Sequence, residues 1–351
     1  MGLTKIELAM RLEIDSRSVS AYESGEFPPG ADTIDRIGYA SGYPEDFFFG
    51  DDLEEPDTNS ASFRAMAKMK AHHRDLALSQ GALAFMFTKW IEKHFELPKV
   101  DLPNLRNEGS PEAAADSLRR HWGIGELSIR NMIHQLEAKG VRIFSLAIDA
   151  REVDAFSLWK ESTPFVFLNN NKSSEHSRFD AAHELGHLVL HGHGLPRGRE
   201  AEREADVFAS AFLMPRASVI AYAPRFPTLK DLIKLKRRWT VSLAALNCRL
   251  YEVGMLSEWQ YRTLCIQISK RGYRINEPNE APRETSQVLP KVFDALYKEG
   301  IKRSQVAREL CIPPPELEQL MFGLTLTSIS GGGRMPSAKT KANLTLVGKD
   351  N

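Results

Sequence analysis

The stretch Ala181-Ala182-His183-Glu184-Leu185-Gly186-His187-Leu188-Val189-Leu190-His191 restricts what this chain can fold into more than any other. Its pattern predicts a helix that is apolar except where it carries His183, Glu184 and His187. On a 3.6-residue repeat, side chains four apart point within roughly 40° of each other, so both imidazoles share one face and can grip one metal ion. Glu184, one step round, is placed to reach a water on that ion rather than the ion itself. This H-E-x-x-H spacing suits hydrolysis by a zinc-activated water with the glutamate as general base. The competing reading is a pair of core histidines that satisfy each other by hydrogen bonds. Burying such groups without a partner or a metal costs on the order of several kcal/mol, which weighs against it.

A tetrahedral catalytic site needs a third protein ligand and an open fourth position. His193 stands at the distance of the third histidine in H-E-x-x-H-x-x-G-x-x-H proteases, but that arrangement needs a glycine where this chain has Leu190. His193 therefore reads as a solvated loop residue. The other candidate lies in Glu200-Ala201-Glu202-Arg203-Glu204-Ala205-Asp206-Val207-Phe208-Ala209, a second helical stretch with an apolar face. Glu202 and Asp206 are four apart and share a side of it. Glu202 is the expected ligand, and Asp206 the expected acceptor for the free ring N–H of a ligating histidine, which fixes its tautomer. Glu200 and Glu204 read as the acidic first turn favoured by a helix dipole.

Arg178 to His187, followed by Glu202-x-x-Ala205-Asp206-x-Phe208-Ala209 and Leu213-Met214-Pro215, resembles the ImmA/IrrE family of zinc metallopeptidases, over roughly residues 112–220. The resemblance implies a zincin-like domain with a gluzincin ligand set, His183, His187 and Glu202, and Glu184 as catalytic base. The family often shows Asn where this chain has Asp206. Zinc is the implied cofactor, and Mn²⁺ is another ion the donor set admits. His176, Arg178 and Tyr222 are candidates for a further oxyanion donor, unranked by sequence.

The first fifty residues read as a compact helical module. Thr4 caps a helix through Leu12, and Asp15 caps another running to Gly25. The wording resembles Xre-type helix-turn-helix regulators, which implies that Ser16, Arg17 and Ser20 face bases or phosphates. Glu13 stands where those regulators usually have a glycine. With only Met1 and Gly2 before Leu3, the module is expected to lack the first helix of such domains. Residues 1–49 hold nine acidic residues against four basic ones, a weak footprint for phosphate neutralisation. Docking of a protein partner is therefore the competing reading.

The chain has 351 residues with 46 basic and 46 acidic ones, so its length suggests two or three domains and its net charge draws it to neither nucleic acid nor an anionic membrane. Three separated cysteines, Cys248, Cys265 and Cys311, fit reduced thiols of a cytoplasmic protein, and no apolar run approaches the roughly 20 residues a membrane span needs. The fold expected is α+β and mostly helical: a helix-turn-helix bundle at 1–50, an acidic linker and helical connector at 51–109, a metallopeptidase domain with a small sheet at 110–220, a helical region at 221–329, and a disordered tail at 330–351.

Within that plan, residues 62–97 carry Arg64, Lys68, Lys70, His72, His73 and Arg74, then Phe85, Phe87, Trp90 and Phe95 in a changing phase that suggests two packed helices. Ser110 caps a helix that starts at Pro111, and a further helix runs from about Ser128 to Lys139. Strands are expected at Val141–Ile148, Ala155–Trp159 and Pro164–Leu168. An edge strand at Phe165–Asn169 is expected to take up substrate by strand addition. Lys230, Lys234, Lys236, Arg237 and Arg238 read as a solvated basic face on Leu229–Trp239, and Lys291–Leu310 and Pro315–Phe322 as two amphipathic helices.

The function expected is zinc-dependent endoproteolysis with a regulatory role. By resemblance the substrate is a transcriptional repressor or antitoxin-type regulator, cut in stress response or in toxin–antitoxin or mobile-element control. The alternative is a DNA-binding regulator whose metal domain senses zinc or a ligand without cutting. The partners are then a protein substrate and, through the N-terminal module, DNA; homodimerisation is left open and a membrane is not expected.

Overall fold

The computed structural model describes residues 3–56, 71–146, 155–169, 172–192 and 198–325. His193, Arg64, Lys68, Lys70, the side chain of His72 and the tail 330–351 lie outside the described residues.

Local signals account for most helix starts. Thr4 and Glu7 form a capping box on α1 (Lys5–Leu12), and Asp15 accepts from the Arg17 amide to start α2 (Ser16–Glu23). Between them Glu13 takes the left-handed conformation, φ 53°, at the position where a glycine was the usual residue. Ala9, Leu12, Val19 and Ala21 are buried between these two helices, which α3 (Ala31–Ser41) and the short α4 (Glu45–Phe48) follow. Residues 71–94, expected as part of a helix pair, form one helix, α5 (Ala71–His94). The aromatic phase changes because most sides of this helix are covered: Ala77, Leu83, Ala84, Phe85, Phe87 and Ile91 are all buried.

Ser110 caps α6 (Pro111–His121) with proline at its start, as expected. The next helix, α7 (Met132–Ala138), starts later than the sequence suggested, because the Asn131 side chain accepts from the His134 amide and caps it there. Strands β1 (Arg142–Ser145), β2 (Ala155–Lys160) and β3 (Thr163–Leu168) form a sheet of order β1-β3-β2, with β3 parallel to β1 and antiparallel to β2. Residues 147–148 of the first expected strand are outside the described residues. The expectation of a free edge at Phe165–Asn169 is corrected: β3 is the central strand, hydrogen-bonded on both sides. Among the described residues β2 pairs with β3 alone, so β2 is the edge on that side.

Helix α8 (Ser174–Gly186) packs on β2 and β3 and passes directly into a π-helical turn, His187–His191. Helix α9 (Arg199–Leu213) lies along α8 and also against α6. Then come α10 (Arg216–Tyr222), α11 (Leu229–Trp239), α12 (Leu243–Glu252) and α13 (Glu258–Lys270). The stretch expected as one helix at Lys291–Leu310 is two, α14 (Val288–Lys298) and α15 (Arg303–Glu309). Gly300 at φ 78° interrupts them, and α16 (Pro314–Leu320) follows.

The basic face on α11 is also corrected at one residue. Lys230, Lys234, Arg237 and Arg238 are exposed, but Lys236 is buried, 2.6 Å from Glu175 of α8 and 3.0 Å from Glu277. Glu277 belongs to an irregular segment, 274–287, that meets the start of α8. There the Ala281 amide donates to Glu175, Ser174 donates to the Pro282 carbonyl, and Glu284 pairs with the buried Arg178. Glu284 also accepts from the Met132 amide at 2.7 Å, an anion at the N-terminus of α7. The protein is thus mostly helical α+β with one small sheet among the described residues, none of whose helices is long and apolar enough to cross a membrane.

Candidate metal centre

The site is made where α8 and α9 come closest. Gly186 ends α8, and a Cβ added there would lie 3.0 Å from Phe208 Cδ1 and 3.3 Å from Ala205 Cα. A side chain at this position would push the two helices apart. The residue that costs an α-helix about 1 kcal/mol relative to alanine is therefore what permits the contact. The close approach puts Glu202 over the histidine face of α8.

His183 Nε2 and His187 Nε2 are 3.1 Å apart. Glu202 presents Oε2 at 3.9 Å from His183 Nε2 and Oε1 at 3.7 Å from His187 Nε2. One ligand atom from each of the three residues lies within 4.8 Å of the others, a group of metal-holding size. A tetrahedral zinc with bonds of about 2.0–2.2 Å holds its ligand atoms about 3.3–3.5 Å apart. The observed spacings bracket that value, so one ion fits with small side-chain adjustment.

Protons give the same answer. Asp206 can only accept, so His183 Nδ1 carries the hydrogen in their 2.9 Å bond and Nε2 faces the centre. Burial works against a charge on His183. The Asp206 hydrogen bond and the carboxylates of Glu184, Asp206 and Glu202 outweigh it and push its pKa up to about 9. His187 is held well below the usual imidazole range by burial and by the rings of His183 and His191. Two Nε2 atoms thus face each other at 3.1 Å with carboxylates around them, an arrangement that attracts positive charge. A divalent cation suits that arrangement.

Glu184 is buried on the side of α8 that faces the sheet. Ser157, midway along β2, lies 2.6 Å from Glu184 Oε2, and its hydroxyl donates to that carboxylate. The base expected from the sequence is therefore held from the edge strand. Ser157 was not foreseen; its one signal was a hydroxyl inside an otherwise apolar strand, Ala155-Phe156-Ser157-Leu158-Trp159.

The π turn was not foreseen either. A turn closed by i→i+5 bonds is wider than an α turn and concentrates at functional positions. It frees carbonyls, and here the Trp159 indole donates to Leu188 O at 3.2 Å and the Leu105 amide to Val189 O at 2.9 Å. The same turn sets His191 over His187, their Nδ1 atoms 2.9 Å apart. His191 Nε2 in turn lies 2.9 Å from Glu204 Oε2. Glu204, read from sequence as part of an acidic first turn, reaches a histidine instead.

The remaining candidates lie apart from the centre. Ser16, Arg17 and Ser20 are exposed on α2 and line one depression with Thr4 and Lys5. Of the oxyanion candidates, Arg178 is excluded: its guanidinium is buried against Glu284 and the Ile129 carbonyl. His176 is two turns before His183, about 10 Å along the helix axis at 1.5 Å per residue, and is bonded to Ser173. Tyr222 lies under the Arg238 guanidinium, 3.2 Å from its ring centroid.

Residues 136–251 match the family model described as Peptidase_M78, the IrrE N-terminal-like domain. The match spans about a third of the chain and covers β1 to β3, both site helices and the helices through α12. No curated protein matches the chain. The matched segment is thus similar to ImmA/IrrE-type peptidase domains, whose metal dependence agrees with the triad His183, His187 and Glu202.

Proposed function

We propose that this protein is a zinc-dependent endopeptidase that cuts a regulatory protein. The observation that carries this reading is the convergence of His183, His187 and Glu202 within 4.8 Å, with the Glu184 carboxylate near enough to favour charge on His183. Bound by those three residues, zinc would supply Lewis-acid polarisation of a scissile carbonyl and lower the pKa of a water molecule. Glu184 accepts that water's proton and returns it to the leaving amine. Ser157 keeps the Glu184 carboxylate aimed, and Asp206 keeps the His183 ring turned. An extended substrate adds along β2, the edge strand among the described residues, so that its backbone runs past Ser157 and Glu184.

The substrate class rests on resemblance: ImmA/IrrE-type peptidases cleave transcriptional repressors, and the same setting of stress response or toxin–antitoxin control is proposed here. A second reading, DNA binding through the N-terminal module, is supported by the exposure of Ser16, Arg17 and Ser20 on one surface. In that case the metal domain senses rather than cuts.

Metal content by mass spectrometry, on protein purified without chelators, tests the site. About one zinc per chain is expected in the wild type, and much less in Glu202→Ala. Glu184→Gln is expected to keep its zinc and lose cleavage of a candidate repressor. Appreciable cleavage by that variant would sink the assignment of the base, and metal-free wild type would leave the sensor or DNA-binding reading.

A further inference from the structure

The bonds from His187 to His191 and from His191 to Glu204 form a line of groups leading away from the proposed centre. Glu204 is partly exposed at the far end, while His187 and His191 are both nearly enclosed, their side chains 8% exposed. A carboxylate accepts only, so the 2.9 Å contact makes His191 Nε2 the donor. With its single ring hydrogen on Nε2, His191 presents a bare Nδ1, which accepts in the 2.9 Å bond with His187. His187 must therefore carry its hydrogen on Nδ1 and present a bare Nε2 toward His183 and Glu202. That is the tautomer a metal needs.

We infer that His191 and Glu204 are a positioning pair, which holds His187 in its metal-binding tautomer and ring orientation through one intervening imidazole. His183 has the shorter form of the same device in Asp206. The two arms come from the two flanks of α9. At 100° per residue, Glu202 and Asp206 sit on one flank of the apolar stripe that includes Ala205, Phe208 and Phe212. Glu204 sits on the other flank. The π turn carries His191 out to meet it.

The inference rests on the reading of His187 as a ligand, and two readouts on the full-length protein separate the two ideas. The first is zinc affinity, measured by competition with a chromophoric chelator. Glu204→Ala and His191→Phe are expected to bind zinc about 10- to 100-fold more weakly than wild type, the usual effect of losing an outer partner of a ligating histidine. His191→Asn, whose amide oxygen can stand where Nδ1 stood, is expected to recover most of that affinity, as is Glu204→Gln, which keeps an acceptor. A merely structural role would lower thermal stability in all four variants without this division between them.

The second readout is the ring-nitrogen NMR spectrum of metal-free protein labelled with ¹⁵N-histidine. It is expected to show His187 protonated on Nδ1 in the wild type, and a mixture of tautomers in His191→Phe. His187 protonated on Nε2 in the wild type, or wild-type zinc affinity in both Glu204→Ala and His191→Phe, would overturn the inference. Wild-type protein that binds no zinc yet shows His187 protonated on Nδ1 would defeat the metallopeptidase reading and leave the pairing standing.

Discussion

Ser157 reaches Glu184 across the junction between β2 and α8, and its contribution can be separated from that of the metal ligands. A hydrogen bond to a charged group contributes about 1.5–3 kcal/mol, and roughly 1.4 kcal/mol is a factor of ten in rate. Ser157→Ala is therefore expected to lower kcat about tenfold or more, with zinc content and KM little changed. Steady-state kinetics beside metal analysis would check it; loss of zinc in Ser157→Ala would show that the hydroxyl supports the ligands instead. At this scale the sequence reveals residues whose spacing is itself the signal. His183, Glu184 and His187, and likewise Glu202 and Asp206, lie four apart or adjacent in the chain, and the structure brings His183, His187, Glu202 and Asp206 together. His191 also lies four from His187, but its contact with Glu204 and that of Ser157 with Glu184 cross elements, where no helical or strand period links the partners. Lys236 is different again: it lies in line with Leu229, Leu232 and Trp239, so its place on the apolar stripe was readable, but the buried carboxylates awaiting it were not.

Elements show the same division between local and long-range causes. Capping set the starts of α1, α2 and α6 where Thr4, Asp15 and Ser110 predicted them. The strands were legible from their β-branched and aromatic runs, but their order was not, because pairing across a crossover leaves no trace in local composition. Hence β3 was read as an edge when it is the centre. The regular helix expected through His191 gives way at Gly186 to a wider turn, since carbonyl partners supplied by Trp159 and Leu105 make that turn affordable. The contact of α8 with α9 at Gly186 has a direct test. Gly186→Val inserts a branched side chain against Phe208 and Ala205, and overpacking of this kind costs about 1–3 kcal/mol. A lower melting temperature together with weaker zinc binding is expected, because separating the helices withdraws Glu202. A stable variant with unchanged zinc affinity would mean that the helix spacing does not set the ligand geometry.

For the whole molecule, the segment at 274–287 ties a later part of the chain to the first turns of the helix that carries the histidines. Glu277, Pro282 and Glu284 meet Lys236, Ser174 and Arg178 there, and the charged partners are nearly enclosed. Removing one partner of a buried ion pair typically costs about 3–5 kcal/mol, because the other is left as an uncompensated charge. The stretch similar to the peptidase family ends at residue 251, short of these partners. A fragment covering 136–251 is therefore expected to be insoluble or molten, with dispersed amide signals and zinc uptake returning only when the chain is continued past residue 287. A folded, zinc-binding 136–251 fragment would show the tie to be dispensable. If the tie is required, the active centre of this chain could not be transplanted onto another protein as a cassette. Any lineage that kept the proposed hydrolytic chemistry would have had to inherit the later residues along with it.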